Sequence, residues 1–223
     1  MIDALLSLFS INAIFFTVLD YPMSYIEFFG TILYLWSVWL IMRKDMLTWP
    51  VSIVSVILYA ILFYQIRLYS DTIEQIYFLG ASVYGWWFWE KTKSKKEDNA
   101  EAVLSSKNQI IAFAILTVVL SIIFGYLMSR IHIFLPAFFP EAASFPYLDA
   151  ATTVMSFVAM FLMAQKKIES WVYWIIVDMI GIGLYFAKNV RFISLLYVML
   201  LILAINGFRI WLKDLEKEKG KKI

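Results

Sequence analysis

Two tryptophans and a carboxylate stand inside one apolar stretch, Trp171–Tyr185, which reads WVYWIIVDMIGIGLY. At 100° per residue on a helix, Trp171, Trp174, Asp178 and Tyr185 fall within roughly 60° of one another and form one stripe. A charge in an apolar membrane span costs about 2.5–3.5 kcal/mol on translocon scales, so by default it faces a bundle interior or a cavity and marks function. A second polar face has the same kind of spacing: Asp71, Gln75, Ser82 and Trp86, with Gln75 offering two amide donors and an acceptor. A third holds Ser52, Ser55 and Tyr59, with Trp49 at its head. Glu27–Thr31–Tyr34 and Asp149–Thr153–Ser156 repeat an acid–hydroxyl–polar face that suits helix packing better than a gate. Each assignment has a plainer competitor. Trp171 beside Lys166 and Lys167 fits an interfacial belt, and Gln75 fits an interhelical hydrogen bond with no ligand.

The elements that carry these faces are set by composition. With 62% hydrophobic and only 16% charged residues, and mean hydropathy +0.77, the 223-residue chain is no ordinary soluble domain and reads as an integral membrane protein. Apolar runs recur at about Tyr25–Met42, Trp49–Tyr64, Ile73–Trp89, Gln109–Met128, Leu148–Ala164, Trp171–Ala187 and Ser194–Leu212. Each is about 16–20 residues, enough for a core of about 30 Å at 1.5 Å per residue, with thinning for the shorter ones. Seven transmembrane helices are therefore expected, preceded over residues 1–20 by an apolar helix, interfacial or a short span, that lacks the features of a cleaved signal. Lys91–Lys107 reads as a charged, solvated linker. Ser129–Tyr147, with Pro136, Pro140 and Pro146, reads as an external loop. Residues 213–223 form a basic tail.

Lysine and arginine divide fifteen to four between alternate sides, which places the C-terminus in the cytoplasm. A net charge of +2 spread over loops gives no nucleic-acid footprint. The chain has no cysteine and a single histidine, His132, expected in a loop, and no GxxxxGK[ST] phosphate loop. Neither a catalytic nor a metal site is expected, and no cofactor. An intramembrane enzyme would need a catalytic partner within reach of the carboxylates.

The chain also repeats itself. A shift of 122 aligns Glu27 with Asp149, Thr31 with Thr153, Leu40 with Leu162, Lys44 with Lys166 and Trp49 with Trp171. A shift of 124 then aligns Arg67 with Arg191, Ser70 with Ser194, Trp87 with Trp211 and Glu90 with Asp214. That register pairs Ser82 with Asn206 and adds Asn206 to the candidate residues. The expected fold class is an all-α integral membrane bundle in a 3+1+3 parallel-repeat arrangement: a first three-helix repeat at 21–90, a linking helix within 91–146 and a second repeat at 147–212. An odd number of spans per repeat requires the linking helix if both repeats keep one orientation, and a substrate site is expected at their interface. Gly80, Gly85, Gly181, Gly183 and Gly207 are expected to allow close helix approach.

The stretches WPVS from Trp49, LYAILFYQIRLYSDTIEQIYF from Leu58 and SVYGWWFW from Ser82 resemble the PnuC family of bacterial vitamin transporters. So do PYLDAATTVMSFVA, WVYWIIVD and LYFAKNVRFISLLY in the second half. The resemblance runs from about Tyr25 to Trp211. It implies uptake of nicotinamide riboside by facilitated diffusion, trapped by cytoplasmic phosphorylation, in a multi-pass protein of the bacterial inner (plasma) membrane. The implied fold is similar to a full-length version of the SWEET sugar transporters. Relatives for thiamine, riboflavin and deoxynucleosides make a carrier for thiamine or another vitamin the alternative reading, with a membrane sensor or scaffold the remote one. Met160 departs from the commoner SLVAQ form of the motif, replacing a glutamine.

Nicotinamide riboside is a flat cation bearing an amide and a ribose. Tryptophan faces attract such a cation by about 0.5–2 kcal/mol, and Trp171 with Trp174 is the WxxW that the family uses near its substrate. The expected substrate-binding set is Trp171, Trp174, Asp178, Gln75, Asn206, Ser82, Tyr59 and Trp49. The expected partners are the vitamin and the lipid bilayer, without nucleic acid, and homo-oligomer formation is left open.

Overall fold

The computed structural model describes residues 7–18, 21–66, 69–93, 102–137, 142–187 and 191–221. Arg67, Lys95, Lys96, Lys188 and Lys222, which enter the charge count, lie outside the described residues. The chain divides into two units, Met1–Ala100 and Glu101–Ile223.

In the first unit, β1 (Ile14–Val18) pairs antiparallel with β2 (Tyr21–Ser24). Within the helix expected over residues 1–20, residues 14–18 are instead a strand, while residues 1–6 and 19–20 lie outside the described residues: apolar Ile14, Phe15 and Phe16 join a β-rich run ending at Pro22, which donates no helical hydrogen bond. The hairpin leads directly into α1 (Tyr25–Met42), whose start is capped by Ser24, its Oγ accepting from Glu27 N at 3.3 Å. Helix α2 (Thr48–Gln65) packs on α1, and α3 (Tyr69–Lys93) packs on α2. At the far end of α2, Gln65 holds the preceding segment: its Oε1 accepts from Ile11 N at 3.1 Å and its Nε2 donates to Phe9 O at 2.7 Å.

The second unit contains α4 (Lys107–Phe134), α5 (Pro146–Ala164), α6 (Glu169–Ala187) and α7 (Arg191–Lys221), each packed on the next. A capping box between Ser106 and Gln109 starts α4. The helix runs six residues past the expected Met128, so His132 sits in its last turn rather than in a loop. Helix α7 likewise continues to Lys221, so the basic tail is helical to that point. Among the described residues, six helices, α1, α2, α4, α5, α6 and residues Phe192–Lys217 of α7, are long and apolar enough to cross a membrane. Helix α3 has 25 residues but falls below that apolarity, because Glu74, Gln75 and its tryptophans and tyrosines are poorly hydropathic.

The linker is not wholly solvated. Val103 N donates to Lys166 O at 3.0 Å, Ile168 N donates to Val103 O at 3.1 Å, and Ser105 N donates to Glu169 Oε1 at 2.7 Å. Ala102 is buried beside this clasp. An extended backbone next to an open turn satisfies groups that water would otherwise have to reach.

The internal repeat is written into the two turns that join α1 to α2 and α5 to α6. Lys44 and Lys166 both take φ 58°, the left-handed conformation usual one residue past a helix end. In the first turn Lys44 N donates to Ile41 O and Asp45 N to Leu40 O. In the second, Lys166 N donates to Met163 O and Lys167 N to Leu162 O, so both turns are Schellman motifs. Each is followed by an indole in the first turn of the next helix. Trp49 meets Trp89 edge to face, with centroids 5.2 Å apart and planes at 90°; Trp171 meets Trp211 at 5.5 Å and 89°. Glycine makes room for both: a Cβ on Gly85 would lie 2.2 Å from the Trp49 ring, and one on Gly207 would lie 2.5 Å from that of Trp171.

Those contacts revise the second register. Trp89, not Trp87, is the counterpart of Trp211, and Gly85 is the counterpart of Gly207, so the shift is still 122 at this end. Trp87 is 53% exposed while Trp211 is fully buried. The run WWFW offers three tryptophans for one partner, and only burial distinguishes them. The counterpart of Asn206 is therefore Tyr84, and that of Ser82 is Ala204.

Candidate binding site

Trp174 and Asp178 lie one turn apart on α6, in the stripe that also holds Trp171 and Tyr185. Asp178 is the tenth of the helix's nineteen residues, at mid-span, and only 3% exposed. Among the described residues its carboxylate has neither a hydrogen bond nor an ion pair. Removing a charge from water without a partner is costly, which fits a group held for a ligand rather than for packing. Trp174 is half-buried and keeps accessible surface. Two contacts fix the helix that presents them. Tyr173 Oη and Thr117 Oγ1 of α4 share a hydrogen bond at 3.3 Å, and Ser194 Oγ of α7 donates to Ile182 O at 2.9 Å.

Trp171 and Trp49 have a different setting. At 1% and 0% exposed, each indole is enclosed by its tryptophan partner and its glycine, leaving no free face for a ligand. Both Nε1 groups are buried with no acceptor among the described residues. Their equivalence across the repeat and complete enclosure make them packing residues, neither interfacial belt nor substrate platform.

The first unit holds the remaining candidates. Ser82 is fully buried and shares a 3.3 Å hydrogen bond with Ser52 that ties α3 to α2. Ser55 Oγ donates to Gly30 O at 2.9 Å and ties α2 to α1. Tyr59 Oη and Thr31 Oγ1 lie 2.7 Å apart, and the Tyr59 ring meets Tyr34 edge to face at 6.0 Å. Tyr59 therefore faces α1. Gln75 is half-buried on α3, one residue after Glu74, an acid that the spacing argument passed over although it lies within one turn of Asp71. Asn206 is exposed on α7, away from the face where Ala204, Gly207 and Trp211 are buried.

At the N-terminal end of α1, Tyr21 Oη donates to Glu27 Oε1 at 2.7 Å and pins β2 to the helix. Burial first, then this hydrogen bond, pushes the Tyr21 phenol above its ordinary pKa, so it remains a donor at neutral pH. Glu27 and Thr31 thus hold a hairpin and a neighbouring helix, in line with the packing expected of that face. Of the five glycines expected to allow close approach, Gly85, Gly181 and Gly207 admit rings where a Cβ would collide, whereas Gly80 and Gly183 face nothing within 4 Å.

Six helices among the described residues that are long and apolar enough to cross a membrane define a multi-pass membrane protein, and α6 carries a buried carboxylate at mid-span one turn from an accessible indole. The particular family follows from comparison with known proteins. The chain belongs to the PnuC family of transporters, since the family model described as nicotinamide mononucleotide transporter matches residues 24–213. The nicotinamide riboside transporter PnuC of Escherichia coli (strain K12) is 28% identical over 219 residues, covering 91% of this chain and 90% of its own. The riboflavin/roseoflavin transporter RibM of Streptomyces davaonensis is 27% identical, covering 90% and 91%. The crystal structure of the vitamin B3 transporter PnuC superposes with a TM-score of 0.67 at 20% identity. It covers 97% of this chain and 88% of its own, and shares the fold. This is a family of transporters, not of enzymes.

Proposed function

We propose that this protein carries nicotinamide riboside across the bacterial inner membrane by facilitated diffusion, exposing one mid-span site alternately to each side. The observation that carries the reading is the unpartnered carboxylate of Asp178 one turn from Trp174. Neither α6 nor residues 192–208 of α7 contain lysine or arginine. A mononucleotide would bring a phosphate to an acid with no cation from either helix to meet it, and riboflavin would bring no charge to balance it. A flat cation satisfies both groups, by charge at Asp178 and by cation–π attraction at Trp174.

The same reading places the chain in a 3+1+3 parallel-repeat arrangement similar to SWEET transporters, with its C-terminus in the cytoplasm. The duplicated Schellman turns and Trp–Gly seats support the repeat itself. The sequence has no phosphate loop to drive transport by ATP, which fits flux down the substrate's own gradient. Thiamine, another aromatic cation, is the second reading, because the acid and indole favour it by the same physics.

A thermal-shift panel of the purified protein distinguishes these cases. Nicotinamide riboside is expected to raise Tm more than thiamine, with little effect from the mononucleotide or riboflavin, since binding to the folded state alone stabilises it. A shift with the mononucleotide and none with the riboside would overturn the assignment.

A further inference from the structure

Gly181 lies three residues beyond Asp178 on α6, and a Cβ built there would stand 2.5 Å from Cδ1 and from Cε1 of Tyr197 on α7. Only glycine admits that ring. Two residues further on, Gly183 faces nothing within 4 Å, so the close approach belongs to one position of α6 and not to a general thinness of the helix. The ring's orientation is fixed as well: Tyr197 stacks on Tyr185, with centroids 5.2 Å apart and planes at 20°. One turn before Tyr197, the hydrogen bond from Ser194 Oγ to Ile182 O holds α7 in register with α6.

Along α6 the stripe therefore reads Trp174, Asp178, the Tyr197 ring seated at Gly181, then Tyr185. Aromatic surface stands on both sides of the buried acid. Trp174 and Gly181 are about 10 Å apart along the axis at 1.5 Å per residue, with the carboxylate-bearing residue between them. Tyr197 is half-buried and keeps accessible surface.

The repeat shows this is not a feature common to both halves. At the 122 shift, Gly181 corresponds to Tyr59 and Tyr197 to Gln75. In the first unit the tyrosine is on α2 and turns to Thr31 and Tyr34 of α1, leaving an amide on α3. In the second unit the glycine on α6 lets a tyrosine come in from α7. The ring has changed helices, and it has done so beside the acid that only this half possesses.

We propose that Tyr197, seated on Gly181 and backed by Tyr185, is a specificity-determining residue that forms the second aromatic wall of the Asp178 site. It selects ligands whose cationic group is a flat ring. The proposal rests on the reading that Trp174 and Asp178 bind an aromatic cation.

Calorimetric titration of the full-length protein with nicotinamide riboside tests it. Tyr197→Leu and Gly181→Ala are each expected to weaken binding at least fivefold, Tyr197→Phe to stay within twofold of wild type, and Gly183→Ala to bind as wild type. If Gly181→Ala does not elute as a folded protein, Tyr197→Leu set against Tyr197→Phe decides, because packing volume alone would not separate ring from branched chain in affinity at equal Tm. Wild-type affinity in Tyr197→Leu, alongside lost binding in Trp174→Ala, overturns this inference and leaves the function standing. A wild-type protein that binds no aromatic cation overturns both.

Discussion

Trp49 and Trp171 stand 122 residues apart and fill the same seat: each indole lies over a glycine of a partner helix, Gly85 or Gly207, and edge-on to a second tryptophan. Added methyl groups should collide with both. Gly85→Ala and Gly207→Ala are expected to destabilise by about 1–3 kcal/mol, the usual cost of overpacking. Gly80→Ala, with open space around the new Cβ, should instead stabilise by up to about 1 kcal/mol through helix propensity. Thermal unfolding in detergent reads both signs, and equal behaviour of the three variants would refute the seating.

The left-handed residues of the two turns lead to a second test. A non-glycine residue in that conformation costs about 1–2 kcal/mol, partly offset by the 0.5–1 kcal/mol that glycine loses in chain entropy. Lys44→Gly should therefore raise stability by about 0.5–1 kcal/mol, while Lys44→Val should lower it. Lys166 is buried, so its side chain contributes beyond the backbone and Lys166→Gly should gain less. Chemical denaturation of the three variants is the measurement.

Gln65 makes two hydrogen bonds to the backbone of the segment before β1, at Ile11 N and Phe9 O. Gln65→Ala removes both, at about 0.5–1.5 kcal/mol each. Limited proteolysis should then cut near residues 9–13 several times faster, with helices α1 and α2 still protected. An unchanged cutting rate would mean that the hairpin alone holds the segment.

Asp178→Asn keeps the shape of the site and removes its charge. Binding of nicotinamide riboside should fall at least tenfold, whereas a neutral reduced analogue should lose less than threefold. Equal losses for the two ligands would assign Asp178 to shape rather than to charge.

Much of this was legible in the sequence. The seven helices follow from apolar runs bounded by charge, and the Trp174–Asp178 stripe follows from helical spacing alone. Three things were not. The hairpin at Ile14–Ser24 was hidden because a short apolar run has no periodicity that separates strand from helix. The true register of the repeat was hidden by WWFW, where Trp87 and Trp89 read alike until one is seen to be exposed and the other buried. Trp171 and Trp49 matched the chemistry of a substrate platform, but chemistry at a position says nothing about which neighbour fills its faces, and here glycine and tryptophan fill them. Tyr197 gave the opposite case: its approach to α6 depends on the missing side chain of Gly181, which no residue type announces.

The central claim, passive carriage of a flat cation through the Asp178 site, is tested most directly by counterflow. Proteoliposomes preloaded with unlabelled nicotinamide riboside, without ATP or an ion gradient, should transiently accumulate labelled riboside from outside, and vesicles carrying Asp178→Asn should accumulate at least tenfold less. Accumulation no greater than in empty liposomes, or equal accumulation by wild type and Asp178→Asn, would contradict the account.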